Sequence, residues 1–382
     1  MNKEQKVKSE DGSSKHCNIR LFIPGPVEVD DDVLELMSQP VQPHYGSQWT
    51  SFYNETIHYL ERVFNTNGNV YIMVGSGSAG IDACIGSAFD RGEKILVGVN
   101  GFFGKRLVEI AESHGLNVIP IYLPWDKPIS PDSIGESLQT NPDAKGIAVV
   151  HLETSTGIIN PIEQIGRISR EHKTVYFVDA VSSLGGLPFN MDEFQIDLCA
   201  SASQKCLGAP PGLSPVAVGK YGWDKINSIN NPTAGWYLNL RNWQKHAEEW
   251  ADWHPYPITM ATSNVVALNT SLRKLLDEGL EKRINHYKHL ALRLRNGLRQ
   301  IGYTPYTTYE SMTPTMTAAY SPKNIPTSKI VDYLLEVHNL KIAGGLGQLH
   351  DRIIRIGHMS PRINQDDIDL VLNALKEFAK RS

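Results

Sequence analysis

Cysteine is scarce in this sequence, and its four residues (Cys17, Cys84, Cys199 and Cys206) have no paired spacing. This pattern indicates neither a disulfide framework nor a zinc site, so no metal is expected. The net charge is also small, −4 at pH 7. A nearly neutral chain lacks the strong field that attracts nucleic acid or an anionic membrane. The sequence therefore predicts neither as a partner.

Long hydrophobic runs are absent as well, because no stretch is apolar for long enough to span a bilayer. Residues 1–18 are polar and lack the apolar segment of a signal peptide, so they are predicted to form a disordered tail. The length of 382 residues allows two domains. The expectation at this point is a two-domain cytoplasmic protein.

Apolar runs alternate with amphipathic stretches between residues 50 and 220. Runs that are apolar on both faces, with helices between them, predict a mostly parallel sheet covered on both sides. In such sheets ligands bind at the carboxyl ends of the strands. The seven predicted strands are Val70–Val74, Lys94–Val99, Asn117–Tyr122, Gly146–His151, Thr174–Asp179, Asp197–Ala202 and Ser214–Val218.

The pattern changes beyond residue 220. Residues 223–262 contain five tryptophans and show no clear periodicity, whereas apolar residues between Leu280 and Ile301 repeat at three- and four-residue steps. That repeat predicts a long amphipathic helix, and short strands and helices follow it. We therefore expect a large α/β domain over residues 19–270, with an N-terminal arm, and a small α+β domain over residues 271–382.

A glycine loop, Gly75-Ser76-Gly77-Ser78-Ala79-Gly80, follows the first predicted strand of the sheet and opens a helix. It matches the dinucleotide fingerprint, but that site also needs an acidic residue at the end of the next strand, and the sequence there reads Val99-Asn100-Gly101. Two interpretations remain open for the loop. It is a cup for a single phosphate group at a helix N-terminus, or a tight turn with glycines for packing and serines as caps.

Two further strands end in ionisable residues. Asp179 closes one apolar strand, and the segment after it does not look helical, which weakens its interpretation as a helix cap. Lys205 follows the next strand in a stretch of small and apolar residues with two prolines. Most lysines are solvated surface charges, but desolvation here would lower the pKa of this amine and make it a nucleophile.

A phosphate cup, a carboxylate and an amine at the same sheet edge form the set that pyridoxal phosphate requires. The cup holds the phosphate, Asp179 keeps the pyridine nitrogen protonated, and Lys205 forms a Schiff base with the aldehyde. This combination predicts pyridoxal 5'-phosphate as the cofactor, with Lys205 and Asp179 as the catalytic residues.

These residues and several further motifs resemble the class V aminotransferases of fold type I, most closely the alanine–glyoxylate and serine–pyruvate branch. The resemblance runs from about Leu21 to the C-terminus. It implies a fold type I architecture, with a mostly parallel seven-stranded sheet in the large domain. The motifs that carry it are Pro24-Gly25-Pro26, Gly75-Ser76-Gly77-Ser78, Glu153-Thr154-Ser155-Thr156-Gly157, Val178-Asp179-Ala180-Val181-Ser182-Ser183, Ser203-Gln204-Lys205 and Arg355-Ile356-Gly357-His358-Met359.

The resemblance implies roles for individual cofactor-binding residues. Phe103 lies where relatives stack an aromatic ring on the pyridine, often a tryptophan, so stacking is expected to be weaker here; a plain core aromatic is the alternative. Thr154 lies where relatives contact the ring oxygen of the cofactor. The residues that it places at the phosphate are Ser76, Gly77, Ser78 and Gln204, together with Tyr256 and Thr259 from a neighbouring subunit, which implies a homodimer with shared active sites.

Three residues are implied on the substrate side. Arg355 occupies the position that binds the substrate carboxylate, for which a guanidinium offers a matching bidentate fork; a surface ion pair is the alternative. Gly25 lies where the backbone passes close to the substrate. His44 is a candidate for the pocket lining, although a structural histidine is the more usual case.

The implied reaction is transamination by a ping-pong mechanism, from a small amino acid of the alanine or serine type to a 2-oxo acid such as glyoxylate or pyruvate. Specialised donors within the branch, namely ureidoglycine, aminoethylphosphonate and pyridoxamine, are the alternative. A cysteine desulfurase needs a nucleophilic cysteine after Cys206, and the sequence has none. A nicotinamide oxidoreductase would leave Lys205 and Asp179 without a role.

Overall fold

The computed structural model describes residues 19–322 and 325–381, so the predicted tail at residues 1–18 lies outside the described part. Two sheets of seven and five strands and one two-stranded ribbon form the β-structure of this part. The strands are β1 (Arg20–Phe22), β2 (Asn69–Val74), β3 (Lys94–Val99), β4 (Asn117–Tyr122), β5 (Gly146–Val150), β6 (Leu152–Glu153), β7 (Ile158–Ile159), β8 (Val175–Asp179), β9 (Leu198–Ala200), β10 (Leu213–Val218), β11 (Thr304–Pro305), β12 (Met316–Tyr320), β13 (Leu340–Gly344) and β14 (Ile353–Gly357).

The seven-stranded sheet has the order β2-β10-β9-β8-β5-β3-β4. Strand β10 is antiparallel to both of its neighbours, and all other pairs are parallel. Every residue of β5, β8 and β9 is buried, as expected for strands covered by helices on both faces. The predicted mostly parallel sheet is confirmed, and each of its strands matches a predicted apolar run to within two residues at either end.

Helices cover both faces of this sheet and surround the smaller one. One of the amphipathic stretches between the predicted strands forms a helix at Phe102–Ser113, and the repeat that begins at Leu280 forms the longest helix of the described residues. The helices are α1 (Asp31–Met37), α2 (Ser47–Phe64), α3 (Gly77–Ala88), α4 (Phe102–Ser113), α5 (Pro131–Thr140), α6 (Ile162–Glu171), α7 (Lys220–Ser228), α8 (Leu240–Glu249), α9 (Thr262–Glu278), α10 (Leu280–Gln300), α11 (Thr327–His338) and α12 (Gln365–Arg381).

The tryptophan-rich segment, residues 223–262, shows no clear periodicity in the sequence. In the structure α8 nevertheless lies within it, and α7 overlaps its start. Asn239 caps α8 by accepting a hydrogen bond from the Arg241 backbone N–H at 3.0 Å. Trp243 is fully buried, whereas Trp236 and Trp250 are exposed. Within α8 the buried residues are Leu240 and Trp243, so little apolar repetition marks the helical period in the sequence.

The smaller sheet has the order β1-β13-β14-β12-β11. Its first strand comes from the N-terminal arm, since Arg20–Phe22 runs parallel to β13. Phe22 packs in a second hydrophobic core with residues of α10 and α12. Helix α9 crosses residue 270, and the division into two domains at that point stays a prediction. No helix in residues 19–322 or 325–381 combines the length and apolarity needed to cross a membrane.

Candidate active site

A cavity of about 280 Å³ lies at the carboxyl ends of the parallel strands, where strands of the large sheet end beside the N-terminus of α3. It is close to the lower end of the range for small-molecule sites, roughly 300 Å³. Nine of the thirteen residues singled out in the sequence line it, although their roles remain predictions. These nine are Gly25, Ser76, Gly77, Ser78, Phe103, Thr154, Asp179, Gln204 and Lys205.

The glycine loop forms one end of the cavity. Ser76 is the N-cap position of α3, but its side chain makes no capping hydrogen bond, which leaves the first N–H groups of the helix available to a ligand. A Cβ atom at Gly77 would lie 2.5 Å from Val181 Cγ2, so packing requires glycine there. Uncapped N–H groups at a helix N-terminus attract an anion. The cup is therefore physically suited to phosphate.

Asp179 is buried in the cavity wall at the end of β8. One of its oxygens accepts a hydrogen bond from the Val181 backbone N–H at 2.9 Å. Burial raises the pKa of this carboxyl to about 7, because desolvation penalises the charged form. A cation in contact with Asp179 would stabilise its charged form and offset the cost of burial. The site therefore suits a positively charged partner.

Lys205 is largely buried, and its Nζ donates a hydrogen bond to the Pro24 carbonyl. Burial lowers the pKa of this amine to about 8, which makes a neutral, nucleophilic form accessible near physiological pH. A Cβ atom at Gly25 would lie 2.7 Å from Nζ, and the φ of Gly25 is +91°. Glycine at position 25 therefore gives the amine its space.

Gln204, beside the lysine, turns its side chain into the same cavity. Its Oε1 atom is buried and has no hydrogen-bond partner among the described residues. A buried polar atom without a partner is costly, so its presence points to a ligand that completes its hydrogen bonding.

Phe103, near the start of α4, presents its ring to the cavity and packs beneath Arg106, whose guanidinium carbon lies 5.0 Å from the ring centroid. Arg106 also lines the cavity, and it is absent from the sequence-based set. Helical spacing could have found it, because a residue three positions after Phe103 lies on the same face of α4. Its position places a positive charge near Asp179.

Arg355, on β14, is buried and does not itself line the cavity. Its Nη1 donates to the carbonyl of Thr154 at 2.9 Å, and its Nε donates to the carbonyl of Gly344 at 2.8 Å. Burial lowers the pKa of this guanidinium to about 10. Within the described part of the chain no carboxylate forms an ion pair with it, so the surface ion pair considered above is not observed.

Tyr256, Thr259 and His44 lie outside the cavity. The hydroxyl of Tyr256 donates to the His44 carbonyl and accepts a hydrogen bond from Trp49 Nε1 at 2.6 Å. His44 Nδ1 lies 3.0 Å from Nε2 of His254, and Thr259 is exposed. Within this chain Tyr256 and His44 form a separate group, the Tyr256 cluster, with Trp49, His254 and Trp253. Their role at the cavity of a neighbouring subunit stays a prediction.

Comparison with known proteins identifies the family. The family model described as Aminotransferase class-V matches residues 34–349. An uncharacterized aminotransferase of Methanocaldococcus jannaschii is 37% identical over 89% of this chain and 87% of its own length. The (S)-ureidoglycine–glyoxylate transaminase of Bacillus subtilis is 32% identical over 94% of this chain and 90% of its own length.

Solved structures agree with the sequence comparisons. The crystal structure of an alanine–glyoxylate aminotransferase from Nostoc sp. superposes with a TM-score of 0.90 at 31% identity, over 94% of each chain. The match confirms the predicted fold type I architecture. The chain belongs to the class V aminotransferases and is a transaminase of this pyridoxal-phosphate-dependent family.

Proposed function

We propose that the enzyme transfers the amino group of a small amino acid, of the alanine or serine type, to a 2-oxo acid such as glyoxylate or pyruvate. The observation that carries this proposal is the buried Arg355, which forms no ion pair with a carboxylate of residues 19–322 or 325–381 and is hydrogen-bonded to Thr154 of the Lys205 cavity. An unpaired buried guanidinium fits a substrate carboxylate. The names of similar transaminases, which include alanine–glyoxylate enzymes, support the same substrate class.

The cavity residues fit pyridoxal phosphate as the cofactor. The uncapped N-terminus of α3 and the side chain of Gln204 would hold its phosphate, Asp179 its ring nitrogen, and Phe103 its ring face. Lys205 would carry the cofactor covalently through Nζ. When bound, the cofactor supplies an electron-withdrawing ring that stabilises negative charge on the carbon next to the amino nitrogen.

The protein supplies position and proton transfer. Arg355 would orient the substrate by its carboxylate. Lys205 would remove the α-proton as a base and then, as an acid, deliver a proton to the carbon that was the cofactor's aldehyde. Burial keeps a neutral form of the amine accessible, as the base role requires. With cofactor and substrate bound, a cavity of about 280 Å³ would hold little water, which would strengthen both electrostatic contacts.

Specialised donors remain the second candidate, and the names of two relatives support them: a ureidoglycine–glyoxylate and a pyridoxamine–pyruvate transaminase. Arg355 fits donors that carry a carboxylate better than it fits a phosphonate. The intact phosphate cup favours bound pyridoxal phosphate over an enzyme that takes pyridoxamine as its substrate.

A half-reaction screen tests the proposal. The holoenzyme is mixed with single amino acids, and conversion of the cofactor is followed by its absorbance; glyoxylate, pyruvate and 2-oxoglutarate are then offered as acceptors. We expect alanine or serine to react fastest. In the same screen Arg355→Met should raise the KM of the preferred donor by about 100-fold, because it removes a charge-assisted contact. Faster conversion of ureidoglycine or pyridoxamine than of alanine and serine would favour the second candidate.

We also infer that the enzyme is a homodimer in the cytoplasm. A groove of about 710 Å³, lined by residues such as Tyr45, Trp49 and Phe52, lies beside the Tyr256 cluster. Trp253, from the same cluster, is 52% exposed, which is unusual for tryptophan on a monomer surface. The resemblance implies that each copy in such a dimer brings its Tyr256 and Thr259 to the partner's phosphate cup.

The dimer is tested by sedimentation of two matched variants. Trp253→Glu should convert the dimer to monomers and weaken cofactor binding by about tenfold or more, because it places a charge in an apolar interface. Tyr122→Glu makes the same change at an aromatic residue that is 64% exposed on the edge strand β4, and it should leave the dimer intact. A wild-type protein that sediments as a monomer at micromolar concentration would refute the shared site.

A further inference from the structure

Glu153 is completely buried behind the wall of the cavity and does not line it. Its Oε2 accepts hydrogen bonds from the backbone N–H groups of Phe103 at 3.0 Å and Gly104 at 2.9 Å. Its Oε1 accepts from the Ser155 backbone N–H at 3.0 Å and from the Ser155 hydroxyl at 2.6 Å. Each carboxylate oxygen thus takes two donors, an arrangement that suits an ionised carboxylate.

The first turn of α4 depends on this carboxylate. The helix begins after Gly101, which has no side chain to cap it, and its first N–H, that of Phe102, donates to the Ser155 hydroxyl at 3.0 Å. The next two are the N–H groups that Glu153 accepts. A Cβ atom at position 101 would overlap the Glu153 carboxyl group, so glycine is required there. A negative charge at a helix N-terminus stabilises the helix further, beyond the stabilisation that such capping hydrogen bonds give.

The same segment holds the arginine of the substrate side. Thr154, the next residue, gives its carbonyl to Arg355 Nη1 at 2.9 Å. The negative charge of Glu153 acts against the burial that lowers the pKa of Arg355, and so helps to keep that guanidinium charged. Residues 153–155 therefore join α4, which carries Phe103, to Arg355, although these two residues are about 250 positions apart in the chain.

Burial raises the pKa of Glu153 above its usual value, and the hydrogen bonds to its oxygens limit that rise. With four donors directed at its two oxygens, we hold that the ionised form prevails. A carboxylic acid would have to donate its proton to the Ser155 hydroxyl, which reverses that hydrogen bond and removes the charge that strengthens the other three.

We propose that Glu153 is a positioning residue of the transaminase site: by capping α4 it fixes the Phe103 ring over the cavity, and by fixing residue 154 it sets Arg355 for the substrate carboxylate. This inference rests on the proposed function for the roles of Phe103 and Arg355. The hydrogen bonds of Glu153 and Thr154 do not depend on the proposed function, because they all lie within this chain.

Glu153→Gln tests the proposal. It keeps the shape of the side chain, but its amide N–H₂ group replaces one accepting oxygen and faces the N–H and hydroxyl donors described above. We expect amide exchange in the segment 102–106 of the cofactor-free protein to rise by about tenfold, because buried N–H groups lose their acceptor. In the loaded enzyme the KM of the amino donor should rise by about tenfold with a smaller fall in kcat, and the visible circular dichroism of the cofactor should change. Glu153→Asp, which keeps the charge, should restore part of each effect.

Asp197→Asn is the matched control. Asp197 is also buried, accepts a backbone N–H from Tyr176 at 2.8 Å and pairs with Arg170, but it lies outside the cavity. Its loss should lower stability without changing exchange in 102–106 or the donor KM. If Glu153→Gln lowers stability alone, as this control does, Glu153 is merely structural and the proposal is wrong. A wild-type enzyme inactive in every half-reaction would instead refute the proposed function, and the exchange result would still stand.

Discussion

Lys205→Ala should abolish transamination, with turnover lower than that of the wild type by a factor of at least about 10⁴. The reason is that one amine serves both as the covalent attachment point and as the group that moves the proton. No other lysine lines the cavity, so no neighbour can replace it within the described part of the chain. Steady-state rates with the preferred donor and acceptor measure the loss. Borohydride reduction followed by peptide mass spectrometry should locate the cofactor on Lys205.

The control for this result is Lys225→Ala, which removes another partly buried lysine, one paired with Glu93, and should retain full activity. A small added amine should restore part of the Lys205→Ala activity, because it replaces the base but not the attachment. The rate of cofactor uptake by the cofactor-free wild type should rise with pH up to about 8 and then level, since the neutral amine reaches its maximum above its pKa. Retention of even a tenth of wild-type turnover in Lys205→Ala would refute the assignment.

The large sheet was predictable because its strands are apolar on both faces. Strands β5 and β8 are buried along their whole length, so each appears in the sequence as a nearly continuous run of apolar residues. The N-terminal arm was less accessible: Arg20–Phe22 pairs with a strand more than 300 residues away, and nothing local in three residues encodes that partner. Helix α8 escaped detection because it is short and mostly polar, and its two buried residues, Leu240 and Trp243, are too few to show a helical period.

The residues of the candidate site likewise fall into those that the sequence predicted and those that it missed. Asp179 and Lys205 were found because each ends or follows a parallel strand, so topology alone brings them to one edge. Arg106 and Glu153 were missed because their positions depend on how α4 packs against the strand ends, a tertiary contact. The hydrogen bonds of Tyr256 to Trp49 and His44 join positions about 200 residues apart and could not be read from spacing.

Asp179→Asn should lower kcat by about 10³ while leaving the fold intact. Asparagine keeps the shape of the side chain and can still accept the Val181 N–H, but it carries no charge to hold a proton on a ring nitrogen. The proposed electron withdrawal by the ring depends on that proton. Steady-state kinetics measure the loss, and Asp179→Glu, which retains the charge, should recover part of it.

The same substitution should stabilise the cofactor-free protein, in a pH-dependent way that identifies the cause. The unfolded carboxyl loses its proton near pH 4, whereas the folded one keeps it up to about 7. Between these values the folded state binds more protons, so wild-type stability falls as pH rises from 4 to 7. Asp179→Asn lacks this slope, and its advantage in Tm over the wild type should therefore be larger at pH 8 than at pH 5. Equal melting temperatures of the two proteins at pH 8 would mean that the Asp179 carboxylate is not desolvated. The inference that this carboxylate needs a positively charged partner would then fail.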